Sequence, residues 1–384
     1  MTNSTDNIRS SFSLQAWRRL QRNKGAMAGL CLITCAILVS MAAYWIAPDS
    51  TPYANRMVLE ISGQRPGFHI TMLAIQKERP VAKGGFFQRL LYGKEAALTY
   101  VPIRAFRFEG NDMVVQKYAD EETTIPERYS LATVWYGHDQ PLKEPLQSIQ
   151  QKIIQERILT KTYWLGTDRF GRDILSRLLI GTRVSLSVGC IAVLISLSIG
   201  VLLGAVAGYF RGWVDDLVMW LINVIWSIPT LLLVFAITLA LGKGFWQVFI
   251  AVGLTMWVGV ARIIRGQVLS IRELQFTEAA RALGYGHTRI IVKHILPNIL
   301  GPVMVVAAGN FATAIVVEAG LSFLGVGVQP PQPSWGLMIK ENYNFIITHN
   351  PLLALAPGVA IMLMVLAFNL LGNGLRDAMD VKRG

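Results

Sequence analysis

Hydrophobic residues in this chain are gathered into long uncharged runs rather than spread at the short periods of a soluble core. The runs are Gly25 to Pro48, Val184 to Phe210, Leu217 to Gly242, Gly244 to Ala261, Ile295 to Ile339 broken only by Glu318, and Asn342 to Leu375. Roughly 20 apolar residues in a helix cross the hydrocarbon core of a bilayer. The pattern therefore predicts six spanning helices, the fifth over Leu300 to Gly325 with Glu318 inside it, and an all-α integral membrane protein. Arg18, Arg19, Arg22 and Lys24 give the first run the basic flank of a signal peptide. Its apolar stretch is longer than an ordinary signal core, and no small-x-small cleavage site follows, so it is expected to stay as a membrane anchor.

Between the first and second runs the pattern changes to that of a small α+β domain, an extracytoplasmic insertion after the first helix. Val101 to Phe108 and Met113 to Tyr118 predict a β-hairpin turning at Gly110-Asn111, and Phe68 to Ile75 predicts a further strand. Leu146, Ile149, Ile153, Ile154 and Ile158 recur at helical spacing, predicting a helix that leads back to the membrane. From Leu165 to Leu186 the chain reads LGTDRFGRDILSRLLIGTRVSL. Ile174, Leu175, Leu178 and Leu179 take one helix face there, while Arg172, Asp173, Ser176 and Arg177 lean to the other. That division predicts a helix lying at the membrane surface. The expected division of the chain is 1–47, amino terminus and first span; 48–181, the insertion; and 182–384, a five-helix core with a loop at 262–298.

Composition agrees with the bilayer, at 53% hydrophobic and 16% charged residues. The mean hydropathy is +0.43. A net charge of +12 raises a nucleic-acid binder, and the position of the charge dismisses it. With the amino terminus inside, Arg9, Arg18, Arg19, Arg22, Lys24, Arg211, the segment from Arg262 to Lys293, Arg376, Lys382 and Arg383 all fall on the cytoplasmic side, and the opposite turn near Lys243 is poor in charge. The insertion holds 18 Lys plus Arg against 15 Asp plus Glu, and segments this long translocate largely regardless of charge. The excess is topological, so no nucleic-acid partner is expected.

No GxxxxGK[ST] phosphate cradle occurs, so the chain is not expected to hydrolyse ATP, nor to be an enzyme of another kind. There is no HExxH and no CxxC, and His69, His138, His287, His294 and His349 are dispersed; no metal, cofactor or catalytic residue is expected. Cys31 and Cys35 share a helix face and Cys190 lies in a span. Small residues at a helix contact or facing lipid is the preferred reading over a metal or redox pair. Glu318 is the one acid embedded in a span, where a charge is costly, so it should face the bundle interior, as a proton or substrate group or as a helix-packing hydrogen bond. Pro229, Pro302 and Pro357 lie within or at the ends of spans, where they can loosen the helical ladder.

The segment between the fourth and fifth spans is too patterned for a plain connection. Thr277 is placed to cap a short helix reading EAARALG, with Glu278 at its positive end and Gly284 as its C′ residue. A second start at Gly286 leads into TRIIVKHIL, ended by Pro297. This is a linker, or a docking element whose small side chains let a partner approach the backbone. Composition alone does not choose.

The run from Glu278 to Pro297 resembles the EAA loop of bacterial binding-protein-dependent ABC importer permeases. AWRRLQRNKGAMAGL, LGTDRFGRDILSRLLIGTRVSL, GYFRGWVDD, Arg262 through HILPN, EAGLSFLGVGVQPPQPSWG and FNLLGNGLRDAMD resemble, more narrowly, the C-type permease subunit of the oligopeptide, dipeptide and nickel group. They cover nearly all of the chain outside about 49–160. His294 departs from the apolar residue of the wider family, and the insertion is larger than this subunit's usual loop. The resemblance implies a type I ABC importer transmembrane bundle of six helices, multi-pass in the inner membrane. It implies a homologous permease beside it, two ATPase subunits and an extracytoplasmic solute-binding protein. It carries ATPase coupling to Glu278, Ala279, Ala280, Arg281 and Gly284, and places Glu318 in a structural stretch. The expected cargo is di- or oligopeptides; nickel or another small solute is the alternative within the group. A proton-coupled secondary transporter should carry several mid-membrane coupling acids and internal repeats; one acid and no evident repeat argue against it.

Overall fold

A computed structural model describes residues 15–79, 85–120, 122–242, 244–347 and 350–379. Arg9, Lys243, His349, Lys382 and Arg383 lie outside the described residues. The chain divides into two compact units: Val39–Arg183 with Pro330–Gly358, and the remainder.

In the first unit, the carboxyl-terminal part of α1 (Lys24–Ile46) leads into a five-stranded antiparallel sheet of order β4-β3-β2-β1-β5. The strands are β1 (Phe68–Gln76), β2 (Leu98–Glu109), β3 (Asp112–Tyr118), β4 (Thr124–Ser130) and β5 (Ile158–Tyr163), and a short helix α2 (Phe86–Tyr92) lies between β1 and β2. The expected hairpin forms: Glu109 pairs with Asp112 across Gly110-Asn111, and Gly110 takes φ +60°. α3 (Leu131–Tyr136) and α4 (Leu146–Glu156) cover one face, packing Leu131, Val134, Ile149 and Ile153 on Leu73, Val101, Ile103, Met113 and Val115. The expected helix from Leu146 does form, but it stops at Glu156 instead of running to the membrane. Ile158 onward then pairs with β1. The alternating ILTKTY is a strand pattern, masked because Ile158 also fits the helical spacing of the residues before it.

The segment expected to lie at the membrane surface is instead packed within this unit. The helix α5 starts at Ile174 and runs to Phe210, so Arg172 and Asp173 sit in the turn before it. Arg172, Asp173, Ser176 and Arg177 are all buried, as is Ile174. Asp168 accepts from Phe170 N and Arg172 N at 2.8 and 3.0 Å and from Arg172 Nε at 2.6 Å. Glu341, on α12 (Trp335–Asn342), accepts from Arg172 Nη2 at 2.6 Å and from Arg177 Nη2 at 3.2 Å. Asp173 takes the N-cap role, accepting from Ser176 N at 2.9 Å. A polar helix face suggests water only if nothing else covers it, and here the cover comes from a residue more than 160 positions away.

Beside this network a cavity of about 150 Å³ is lined by Pro48, Asp49, Arg56, Lys161, Tyr163 and Asp173. Burial, with the Arg56 charge adding to it, pushes the Lys161 ammonium down to about 8. Burial likewise raises the Asp173 carboxyl.

The second unit is helical. It comprises most of α5, then α6 (Gly212–Trp226), α7 (Thr230–Leu241), α8 (Phe245–Arg272), α9 (Gln275–Ala282), α10 (His287–Ile290), α11 (Leu300–Leu324) and most of α13 (Leu352–Met379). α1, α5, α8, α11 and α13 are each long and apolar enough to cross a membrane. The expected third span, Leu217 to Gly242, is not one helix: α6 and α7 meet at 91°. Pro229 is the N-cap of α7, and its missing N–H and its clash with the preceding residue stop the helix there. Hydrophobicity does not register that break.

α8 is the central helix, with 67% of its apolar stretch buried against 22% for α11. It packs on α5 at close range. A Cβ on Gly200, Gly204 or Gly208 would sit 2.5 Å from Val260 Cβ, 2.5 Å from the Ala261 carbonyl and 2.8 Å from the Arg265 carbonyl. This small-residue stripe, one glycine per turn, lets the two backbones approach as membrane helices do. Arg265 clamps α6 by two 2.6 Å hydrogen bonds to Asp215, and Arg262 donates to Asn223 Oδ1 at 3.0 Å. Glu318 is fully buried in α11 and accepts from Ser322 Oγ at 2.6 Å one turn on in the same helix. Cys31, Cys35 and Cys190 are exposed on apolar helices.

Candidate functional site

At the end of α8 the chain reverses twice in about 25 residues and builds an elbow. α9 starts at Gln275, with Leu274 as an extended N-cap that offers no side-chain cap. Thr277 is thus not the cap expected from the sequence. It lies in the first turn, fully buried, and its Oγ1 donates to the Ile271 carbonyl at 3.0 Å, tying α9 to the end of α8. The C-terminus does follow the sequence. Gly284 takes φ +75°, Gly284 N donates to Arg281 O at 2.9 Å, and Tyr285 N to Ala280 O at 3.2 Å. Those two bonds form a Schellman cap, which needs a left-handed residue at that position. α10 follows with Gly286 as its N-cap, continues through a π turn over Ile291–Ile295, and ends in a 3-10 turn at Leu296–Asn298.

The five residues singled out do not share one face. Ala280 is 4% exposed and packs inward with Tyr209, Ile264, Val268 and Ile290. Glu278, Ala279, Arg281 and Gly284 are exposed. Sequence reasoning missed two apolar companions, Leu274 and Phe276, which are exposed, as is Leu283 at 72%. An exposed Phe and two Leu around a short helix form a surface that water alone does not favour.

Two anchors fix the elbow to α5 and the turn after it, and a third contact stiffens the elbow internally. Tyr209 Oη lies 2.9 Å from His287 Nδ1, and the rings of Tyr209 and Phe210 both meet His287 edge-on. Glu273 pairs with Arg211. Tyr285 stacks on His294 at 5.8 Å and lies under Arg289 at 4.2 Å. His294, the departure from the wider family pattern, thus stiffens the second half of the elbow. The inward side of α9 is tied to the bundle through Thr277 and Ala280, while its outward side is exposed. Among the described residues no group of His, Cys, Asp and Glu could hold a metal ion.

Two family profiles match this chain. One, described as the binding-protein-dependent transport system inner membrane component, covers residues 200–383, and the other, the N-terminal TM domain of oligopeptide transport permease C, covers 11–59. The glutathione transport system permease protein GsiD of Pectobacterium atrosepticum is 42% identical over 223 residues, 58% of this chain and 74% of that protein. The dipeptide transport system permease protein DppC of Alkalihalophilus pseudofirmus is 44% identical over 220 residues, 57% of this chain and 72% of that protein. DppC of Bacillus subtilis is 39% identical over 243 residues, 63% of this chain and 76% of that protein.

Proposed function

The chain belongs to the family of binding-protein-dependent transport system inner membrane components, and from that premise we propose that it is half of a peptide pathway driven through its cytoplasmic elbow. It is a multi-pass inner-membrane permease subunit of an ABC importer. The cargo is di- or oligopeptides, a reading supported by relatives named for dipeptide and glutathione transport. The pathway is completed by a homologous permease, energy comes from two ATPase subunits, and an extracytoplasmic protein delivers the solute. In this reading residues 182–384 are the permease core, 262–298 the coupling loop and 48–181 an insertion on the far side.

One observation carries the coupling role: α9 is rigidly held on one side and exposes Glu278, Ala279, Arg281, Leu283 and Gly284 on the other. ATP binding closes the ATPase pair and draws the seated elbows together. Because Thr277, Ala280 and His287 tie the elbow to α8 and α5, those helices move with it and turn the pathway outward; hydrolysis resets it.

Uptake of labelled dipeptides, longer peptides and nickel by a strain lacking this gene, with and without the gene restored, tests the cargo. Restoration of peptide uptake alone is the expected result. Restoration of nickel uptake alone overturns the peptide assignment and leaves the coupling role standing.

A further inference from the structure

Part of the insertion has the chemistry of a membrane-surface element. α2, FFQRLLY, has seven residues, no side-chain N-cap and no buried residue. Phe86 is 59% exposed, Phe87 75%, Leu91 48% and Tyr92 61%. An isolated helix this short is not stable in water, and its Phe, Leu and Tyr side chains lose by facing water.

Its position is nevertheless fixed. Arg183 Nη1 donates to the carbonyls of Leu90 and Leu91, both at 3.0 Å, capping the last turn. Gly93 follows at φ +81°, and a Cβ there would meet Ser50 O at 2.7 Å and the Tyr44 ring at 2.8 Å. Lys94 N donates to Ser50 O at 2.8 Å. These contacts hold α2 at the extracytoplasmic end of α1. There Phe86 meets Trp45 edge-on at 5.3 Å, and Trp45 and Met41 lie one turn apart on the exposed side of α1, 62% and 63% exposed. The apolar surface of α2 thus continues the surface that a spanning helix presents to lipid.

We propose that α2 is an interfacial anchor seated in the outer leaflet, with Phe86, Phe87, Leu91 and Tyr92 at the acyl-chain boundary and Arg89 and Lys94 at the headgroup phosphates. Aromatic rings at the boundary and basic residues beside them are what that layer selects. The anchor fixes the height of the neighbouring sheet above the bilayer.

The test uses the assembled importer in lipid nanodiscs, with Cys31, Cys35 and Cys190 replaced by Ser and a nitroxide on Phe87→Cys. Ile125→Cys, on an exposed position of β4, is the aqueous control. Oxygen is expected to relax the label at 87 several-fold more than a water-soluble nickel chelate does, with the order reversed at 125. A label at 87 that the chelate reaches as readily as at 125 overturns the proposal. So does a label that neither reagent reaches, because a protein partner then covers α2. If Phe87→Cys does not assemble, Tyr92→Cys gives the same readings.

Discussion

Glu341 and the arginines it binds stand or fall together. Both carboxylates and both guanidinium groups of the Asp168, Arg172, Arg177, Glu341 cluster are nearly water-free, so the loss of one member leaves a buried charge without its counterpart. Glu341→Ala is expected to destabilise the sheet-containing unit by about 3–5 kcal/mol, read from denaturant unfolding in detergent. Adding Arg172→Met should cost less than the sum of the single changes. Lys161 gives a pH signature. Below pH 8 both folded and unfolded chains carry its proton, and the folded state bears the cost of burying the charge. Between about 8 and 10.5 the unfolded chain keeps the proton that the folded one has released, so stability rises across that window. Lys161→Met should remove that rise, measured as the difference in unfolding free energy between variant and wild type along the titration. None of this was legible in the sequence. Arg172 and Arg177 read as a wet helix face because their partner Glu341 lies far along the chain.

The elements divide by how local their causes are. Spanning helices come from twenty consecutive choices of apolar residue, so their runs were legible, as was the hairpin turning at Gly110-Asn111. The 91° break was only partly so: Pro229 stood out as a residue that loosens a helix, but the uncharged run continues through it from Leu217 to Gly242 and so read as one span. The elbow was half legible. Gly284 announced its cap, whereas Thr277 was misplaced because its hydroxyl serves the carbonyl of Ile271 rather than its own helix start. The left-handed backbone at Gly284 gives a direct test. Gly284→Val costs about 1–2 kcal/mol in backbone strain and adds a branched side chain to the exposed face. Transport should fall sharply while membrane insertion is retained. Gly284→Asn, which tolerates that backbone, should keep most of the uptake. Equal uptake by the two variants would show that neither the cap nor the face matters.

At the scale of the whole molecule, the proposed coupling role makes the exposed face of α9 the seat of a separate ATPase: in that reading the bundle moves solute only when a partner moves the elbow. Ala279 and Ala280 are neighbours in sequence with opposite surroundings, one bare and one packed against Tyr209 and Ile264. The most direct measurement is uptake of labelled dipeptide by vesicles carrying the complete importer with Ala279→Trp. The coupling role predicts that wild-type uptake requires ATP, and that the variant inserts normally yet neither retains the ATPase subunits nor accumulates peptide. Wild-type accumulation by that variant with the ATPase still bound, or accumulation by vesicles holding this chain alone, would contradict it.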